Sequence, residues 1–196
     1  QRSTIKHLQS GDRTLLWFYA PGYASQDNLS QTRMEELTGF HFQQASQGTL
    51  QGVMADTRQT FGIPKTQKSL FTVAPEPGVQ ALAFGTDELA EKIVLAERRC
   101  PGWTSIFSAV PGIPGDVLGT IYTRAGVHRY TTSDDVLSAN ESWLMLHTRT
   151  AGAKHIRLPR KCSKVTEITT ETLIGQNIDH FQIDLPQYTT AVFLLE

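Results

Sequence analysis

Residues Arg13–Tyr23 read Arg-Thr-Leu-Leu-Trp-Phe-Tyr-Ala-Pro-Gly-Tyr. A run of large apolar side chains without alternation, ending in a Gly/Pro loop, is the pattern of a strand buried on both faces. That is the habit of a parallel sheet covered by helices. Each parallel link needs a crossover, usually a helix, yet ahead of Arg13 there is room for one helix only, Ser3–Gln9, closed by Gly11. The expectation is an α/β domain entered partway through. A chain that begins with Gln rather than Met reads in the same way, as a segment of a longer protein.

Downstream, Ser30 precedes Gln-Thr-Arg-Met-Glu-Glu-Leu and Gly39 follows it, which predicts a short capped helix with Met34 and Leu37 on one face. Phe40–Asp56 reads as a hairpin-like excursion, and Thr57–Lys68, without a clear period, as loop. Leu70–Val73, Val79–Phe84, Lys92–Ala96 and Trp103–Val110 are strand-like runs separated by Pro-Glu-Pro-Gly, Gly-Thr-Asp-Glu and Cys-Pro-Gly turns. Pro114-Gly115-Asp116 then opens a helix over Val117–Ala125, with Val117, Leu118, Ile121 and Tyr122 at helical spacing and Gly126 as its cap. Beyond it the runs are short: Val127–Tyr130, Val136–Ala139, Trp143–Thr148, His155–Leu158, Val165–Ile168, Phe181–Leu185 and Ala191–Leu195. Turn signals every eight to twelve residues or so predict a small antiparallel sandwich or barrel. The expected organisation is an α/β domain over residues 1–126 and an all-β domain over residues 127–196.

The chain has 196 residues, with 18 basic and 19 acidic side chains and a formal net charge of −1. That length supports one large or two small cores. No Lys/Arg block or basic-aromatic alternation favours nucleic acid. No apolar run approaches the roughly 18 residues of a membrane span, and no signal-peptide pattern opens the chain. Two cysteines, Cys100 and Cys162, do not make a disulfide framework and read as structural thiols.

The chemistry-bearing residues form no familiar constellation. The turn after the first strand, Ala20-Pro21-Gly22-Tyr23, holds no nucleophile, and Ser25 lies past it where a nucleophile elbow would not place it. None of the six histidines, His7, His41, His128, His147, His155 and His180, pairs at zinc-site spacing; His147 and His155 flank the Thr148–Lys154 turn and could face each other across a hairpin, but the favoured reading is ordinary exposed strand histidines. The acidic pairs Glu35-Glu36, Asp87-Glu88 and Asp134-Asp135 are sequence neighbours rather than carboxylates facing across a bond, and Asp134-Asp135 reads as a solvated turn. No glycine-rich phosphate cradle occurs; Pro111–Gly115 is only a loop ahead of a helix. No cofactor or metal is expected, and no catalytic residue is assigned. Trp103 and Trp143 each open a strand and are the candidates for a sugar-stacking platform, against ordinary packing. Asn28-Leu-Ser and Asn140-Glu-Ser match a glycosylation acceptor pattern that short sequences produce by chance.

Several segments together carry a resemblance: Gly11–Tyr23, the Met34–Phe40 helix end, the Gly102–Ser108 strand, Leu118–His128, Ile156-Arg-Leu-Pro and Phe181-Gln-Ile-Asp-Leu-Pro. Their order resembles the C-terminal region of bacterial glycoside hydrolases related to β-galactosidases of the A4-like type. There a catalytic barrel precedes a flavodoxin-like, class I glutamine-amidotransferase-like trimerisation domain and a small β domain. The resemblance implies a truncated flavodoxin-like parallel sheet followed by a small antiparallel β-sandwich. It also implies an inactive amidotransferase-like part, since Ala20–Tyr23 has neither Cys nor Ser and Arg124-Ala-Gly-Val-His lacks a His-x-Glu pattern. The catalytic glutamates of such hydrolases belong to the barrel.

The function expected on this footing is a non-catalytic accessory region that supports oligomerisation and packs against an upstream catalytic domain of the same polypeptide. Its compartment is left open among cytoplasm, periplasm and exterior. A carbohydrate-binding module using Trp103 or Trp143 is the alternative, and an independent hydrolase using Ser25 or Cys100 is a third.

Overall fold

A computed structural model describes residues 2–26 and 28–196. Strand accounts for 53% of the chain and helix for 14%, which overturns the α/β expectation for the first part. Two compact units divide the chain, residues 1–114 and 115–196.

The first unit holds helices α1 (Arg2–Leu8) and α2 (Gln31–Thr38) and six strands. These are β1 (Arg13–Phe18), β2 (Phe42–Met54), β3 (Thr60–Val73), β4 (Val79–Gly85), β5 (Ile93–Cys100) and β6 (Trp103–Ser108). They form one sheet in the order β1-β6-β5-β3-β2-β4, and a further β4–β5 pairing closes β2, β3, β5 and β4 into a four-stranded barrel. Only β1 and β6 run parallel; the other ladders are antiparallel. The flavodoxin-like sheet is therefore absent for a local reason. Short turns such as Pro101-Gly102, with Gly102 at φ +79°, return the chain directly beside the strand it has just left.

β1 is correspondingly an edge strand. Leu15, Leu16 and Trp17 are half-buried, Phe18 is 49% exposed and Tyr19 is exposed, so the strand is not covered on both faces. β2 and β3 replace the expected excursion and the loop over residues 57–68. Burial alternates along β2 from Gly48 to Met54, whereas Gln43, Gln44, Ser46 and Gln47 face solvent. On β3, Gly62 has φ +94°, and Pro64 lies where the ladder slips between Thr49 and Gln51. A proline without an N–H is tolerated at such an irregularity.

The core of this unit is aromatic. The Phe42 and Phe107 rings are 4.7 Å apart, and Phe40 joins both at 6.3 Å, with Met34 of α2 fully buried. Ser30 caps α2 by accepting the Arg33 N–H at 3.2 Å, and Gly39 takes the left-handed conformation at φ +75°. The Gly39 carbonyl accepts from Arg98 Nη1 at 2.9 Å, so the helix end is not left unpaired. Leu89, in a 3-10 turn over Asp87–Leu89, is 1% exposed and packs where two glycines leave room. A Cβ at Gly48 would come within 2.5 Å of Leu89 Cγ, and one at Gly85 within 2.4 Å of Leu89 Cβ.

The second unit opens with α3 (Gly115–Arg124), ended by Gly126 at φ +73°. Five strands follow: β7 (Val136–Ala139), β8 (Trp143–His147), β9 (Gly152–Glu167), β10 (Thr172–Leu185) and β11 (Thr190–Leu195). They make an antiparallel sheet in the order β10-β9-β11-β8-β7. Val127–Tyr130, expected as a strand, is irregular, and the two runs expected at His155–Leu158 and Val165–Ile168 belong to the single long β9. Leu144, Leu146, Ile156, Val165 and Phe193 anchor its core. The β9–β10 turn is built on Glu167, which is 4% exposed. Its carboxylate accepts from Thr169 N at 3.2 Å, Thr170 N at 2.9 Å, both threonine hydroxyls and Val192 N at 3.3 Å. Burial acts to raise this carboxyl, but the threonine hydroxyl and backbone donors outweigh it and hold it at about 2.

Leu89→Ala empties the space over two glycines that cannot refill it, and is expected to cost about 2–5 kcal/mol in the first unit. Hydrogen exchange of the β2–β5 amides measures it. Unchanged protection would show that Leu89 does not hold the barrel closed.

Candidate functional site

The residues singled out in the sequence do not come together. Trp103 is 8% exposed, its ring beside Gly39. Trp143 is 42% exposed at the start of β8. Ser25 is exposed and held in its loop, accepting from Arg33 Nη1 at 2.9 Å and donating to the Asn28 carbonyl at 3.2 Å. Both cysteines are free thiols; Cys162 is buried, and burial pushes the Cys100 thiol up despite nearby Arg98. His147 and His155 do not face each other. His147 meets Thr190 across β11, its Nδ1 2.9 Å from the hydroxyl, while His155 pairs with Gln182 of β10. Among the described residues, no group of three or more His, Cys, Asp or Glu side chains is placed to hold a metal ion.

Asp134 and Asp135 part company. Asp134 is exposed and pairs with the Arg149 guanidinium, but the Asp135 side chain is only 2% exposed. Its carboxylate meets Lys154 Nζ at 2.9 Å, with Lys154 itself 4% exposed, and accepts from Ser133 Oγ at 2.7 Å and Arg149 N at 2.8 Å. The expected solvated turn is a buried ion pair. The reason is long-range: β9 brings Lys154 to the start of β7. Burial acts to raise the Asp135 carboxyl, and the Ser133, Lys154 and Arg149 donors overcome it to hold the group at about 2.

A cleft of about 980 Å³ lies in the second unit between the loop after α3 and the β9–β10 ribbon. Its charged lining comes from three separate segments: His128 and Arg129 from the loop, His155 and Arg157 from β9, and Asp179 and His180 from β10. The ribbon is irregular here. Cys162 faces Ile178 and Arg157 faces His180, leaving residues 158–161 and Asp179 outside the regular ladder. Such an interruption re-aims side chains.

The loop clamps the ribbon at one residue. His128 Nε2 donates to the Arg157 carbonyl at 2.9 Å, and the Arg157 N–H donates to the Tyr130 carbonyl at 2.7 Å. The His128 and Tyr130 rings meet edge to face at 4.7 Å. His180 Nδ1 lies 2.7 Å from Asp179 Oδ1, and this hydrogen bond, against slight desolvation, lowers the Asp179 carboxyl. Arg129 is half-buried over Gly119 of α3, where an added Cβ would fall 2.7 Å from its Nη1. No single run of sequence signals this site; its one local hint is the alternation of ring and cation in Val-His-Arg-Tyr over 127–130.

No protein-family profile and no curated protein matches the sequence. Solved structures do match the fold. A β-galactosidase from Bacillus circulans sp. alkalophilus superposes with a TM-score of 0.65 at 12% identity, over 99% of this chain and 30% of that one. A β-galactosidase from the haloarchaeon Halorubrum lacusprofundi gives 0.61 at 12% identity, over 98% and 29%. A cold-adapted β-galactosidase from Rahnella sp. R3 gives 0.59 at 11% identity, over 99% and 30%. At these identities the likeness is one of fold. The chain spans about 30% of the length of these β-galactosidases.

The Asp135 carboxyl lies near 3.8 when free and at about 2 in the fold. A depressed folded value stabilises fully above the unfolded one, and the contribution is lost as pH falls through about 2. Asp135→Asn leaves Lys154 charged and buried without its partner, and is expected to cost about 3 kcal/mol at pH 7. Asp135→Asn with Lys154→Met is expected to recover much of that loss. Acid and urea unfolding followed on the β7–β11 amides checks this; equal stability of the single mutant and the parent would contradict it.

Proposed function

We propose that this chain is a non-catalytic accessory segment of a larger glycoside hydrolase of the β-galactosidase type. The observation that carries the reading is the extent of the fold match. Nearly the whole chain, both units included, corresponds to about 30% of three β-galactosidases. The arrangement of side chains supports it. Ser25 is tied into its own loop by Arg33 and Asn28, and Cys100 is held toward its neutral thiol form rather than activated. Glu167 and Asp135, the two most strongly shifted carboxyls, are tied into a turn and an ion pair.

The role of such a segment is packing against the catalytic domain of the same polypeptide and assembly of copies. The half-exposed edge strand β1, with Phe18 and Tyr19 outward, supports the assembly part, because an unpaired edge with apolar side chains is a pairing surface. Carbohydrate binding is the second reading, favoured by the polar and aromatic cleft of the second unit.

Assay of β-galactoside hydrolysis by residues 1–196 alone and by the longer polypeptide that carries them tests the reading. Turnover is expected only from the longer protein, with sedimentation showing an oligomer that Phe18→Asp dissociates. Hydrolysis by the 196-residue chain itself would refute the accessory role.

A further inference from the structure

We propose that the cleft between the loop after α3 and the β9–β10 ribbon binds an acidic saccharide, a sugar chain bearing carboxylate or sulfate groups. The saccharide half of this statement rests on the accessory-segment reading; the anionic half rests on the cleft alone. Its charge is unbalanced. Two guanidinium groups, Arg129 and Arg157, share the lining with one carboxylate, Asp179. Arg129 forms no ion pair among the described residues and lies in the recess left by Gly119. Asp179 is engaged by His180, so it only partly offsets the charge of Arg157. A planar guanidinium presents paired donors that match the two oxygens of a carboxylate or sulfate.

Arg157 is also held in place. Its backbone N–H and carbonyl are both taken by the loop, through Tyr130 and His128, so its position on the ribbon is set before any ligand arrives. His128 gives Nε2 to that carbonyl and keeps Nδ1. His180 gives Nδ1 to Asp179 and keeps Nε2. These leave one ring nitrogen on each histidine for sugar hydroxyls. Thr123, Thr131 and Gln182 add further hydroxyl and amide groups, and the half-buried Tyr130 ring adds an apolar face for sugar C–H groups.

Size separates the candidate ligands. A volume of about 980 Å³ is that of a site for a molecule of several rings, and a lone oxyanion fills only a small part of it. An extended nucleic-acid strand needs a longer run of cations than two arginines supply.

Titration calorimetry on the full chain decides the matter, with four probes: an oligogalacturonate, a sulfated galacto-oligosaccharide, a neutral galacto-oligosaccharide of the same length and inorganic phosphate. At least one acidic oligosaccharide is expected to bind about tenfold or more tighter than the neutral one and than phosphate. Which of the two it is identifies the anion. Arg157→Gln, on an exposed side chain, is expected to weaken that binding about tenfold, and Arg129→Gln likewise. Arg99→Gln, which removes the same charge from the first unit outside the cleft, is expected to leave it unchanged.

If Arg129→Gln fails to fold, because its side chain packs on α3, Arg157→Gln carries the test alone. Equal binding of neutral and acidic sugars would overturn the proposal, as would phosphate matching the best sugar or acidic-sugar binding that survives Arg157→Gln. Failure here leaves the accessory reading standing, and hydrolysis by the chain would end that reading without altering the binding result.

Discussion

The pairing of β9 with β10 is the constraint on which the second unit depends. Sixteen residues run against fourteen, and the ladder is interrupted once in the middle and once near the turn. At the turn, Glu167 gathers the Thr169 and Thr170 donors and the Val192 N–H, which ties the ribbon to β11. At the other end, Lys154 reaches Asp135 and fixes the start of β7. Between them the interruption turns Arg157, Asp179 and His180 toward one cleft. A buried ion pair contributes little net stability against a well-packed apolar alternative, but breaking one side of it is costly. Lys154 and Asp135 therefore act mainly to specify which strand start meets which.

The first unit is governed by closure. Antiparallel strands joined by short turns curl until β4 meets β5, and Leu89 packs over Gly48 and Gly85 while Phe61 and Val94 pack over Gly52. β6 extends past the barrel and carries β1 alongside it in parallel. That geometry explains why a strand rich in Leu, Trp and Phe is only half covered: it has a neighbour on one side and stands outside the closed interior.

The helices were legible because their ends are local. Ser30 and Gly39 bracket α2, and Gly126 ends α3, through bonds to residues within a turn. Strands bounded by Pro-Gly or Gly-Thr-Asp were legible for the same reason. β2 and β3 were not, because Gln43, Gln44, Ser46, Gln47, Lys65, Lys68 and Ser69 face solvent along them and Pro64 breaks the period. The direction of β1 misled, since an apolar run reports burial on average and not the number of neighbouring strands. Asp135 and the cleft were out of reach in a deeper way. Lys154 is nineteen residues from Asp135 (154 − 135), and the cleft joins residues near 129, 157 and 180, proximities that only the folded ribbon creates.

On the proposed accessory reading, the two units serve as a scaffold rather than a reaction centre. Their strongly perturbed carboxyls are spent on turns and ion pairs, and the cleft offers recognition groups, guanidinium, ring nitrogen and hydroxyl, without a paired nucleophile and base. The direct test of that division of labour is covalent. A galactose-based affinity label carrying an electrophile would be reacted with the longer polypeptide and the adduct mapped by peptide mass. The account predicts labelling on an acidic residue outside residues 1–196. An adduct on any residue of this chain, or none anywhere in the longer polypeptide, would contradict it.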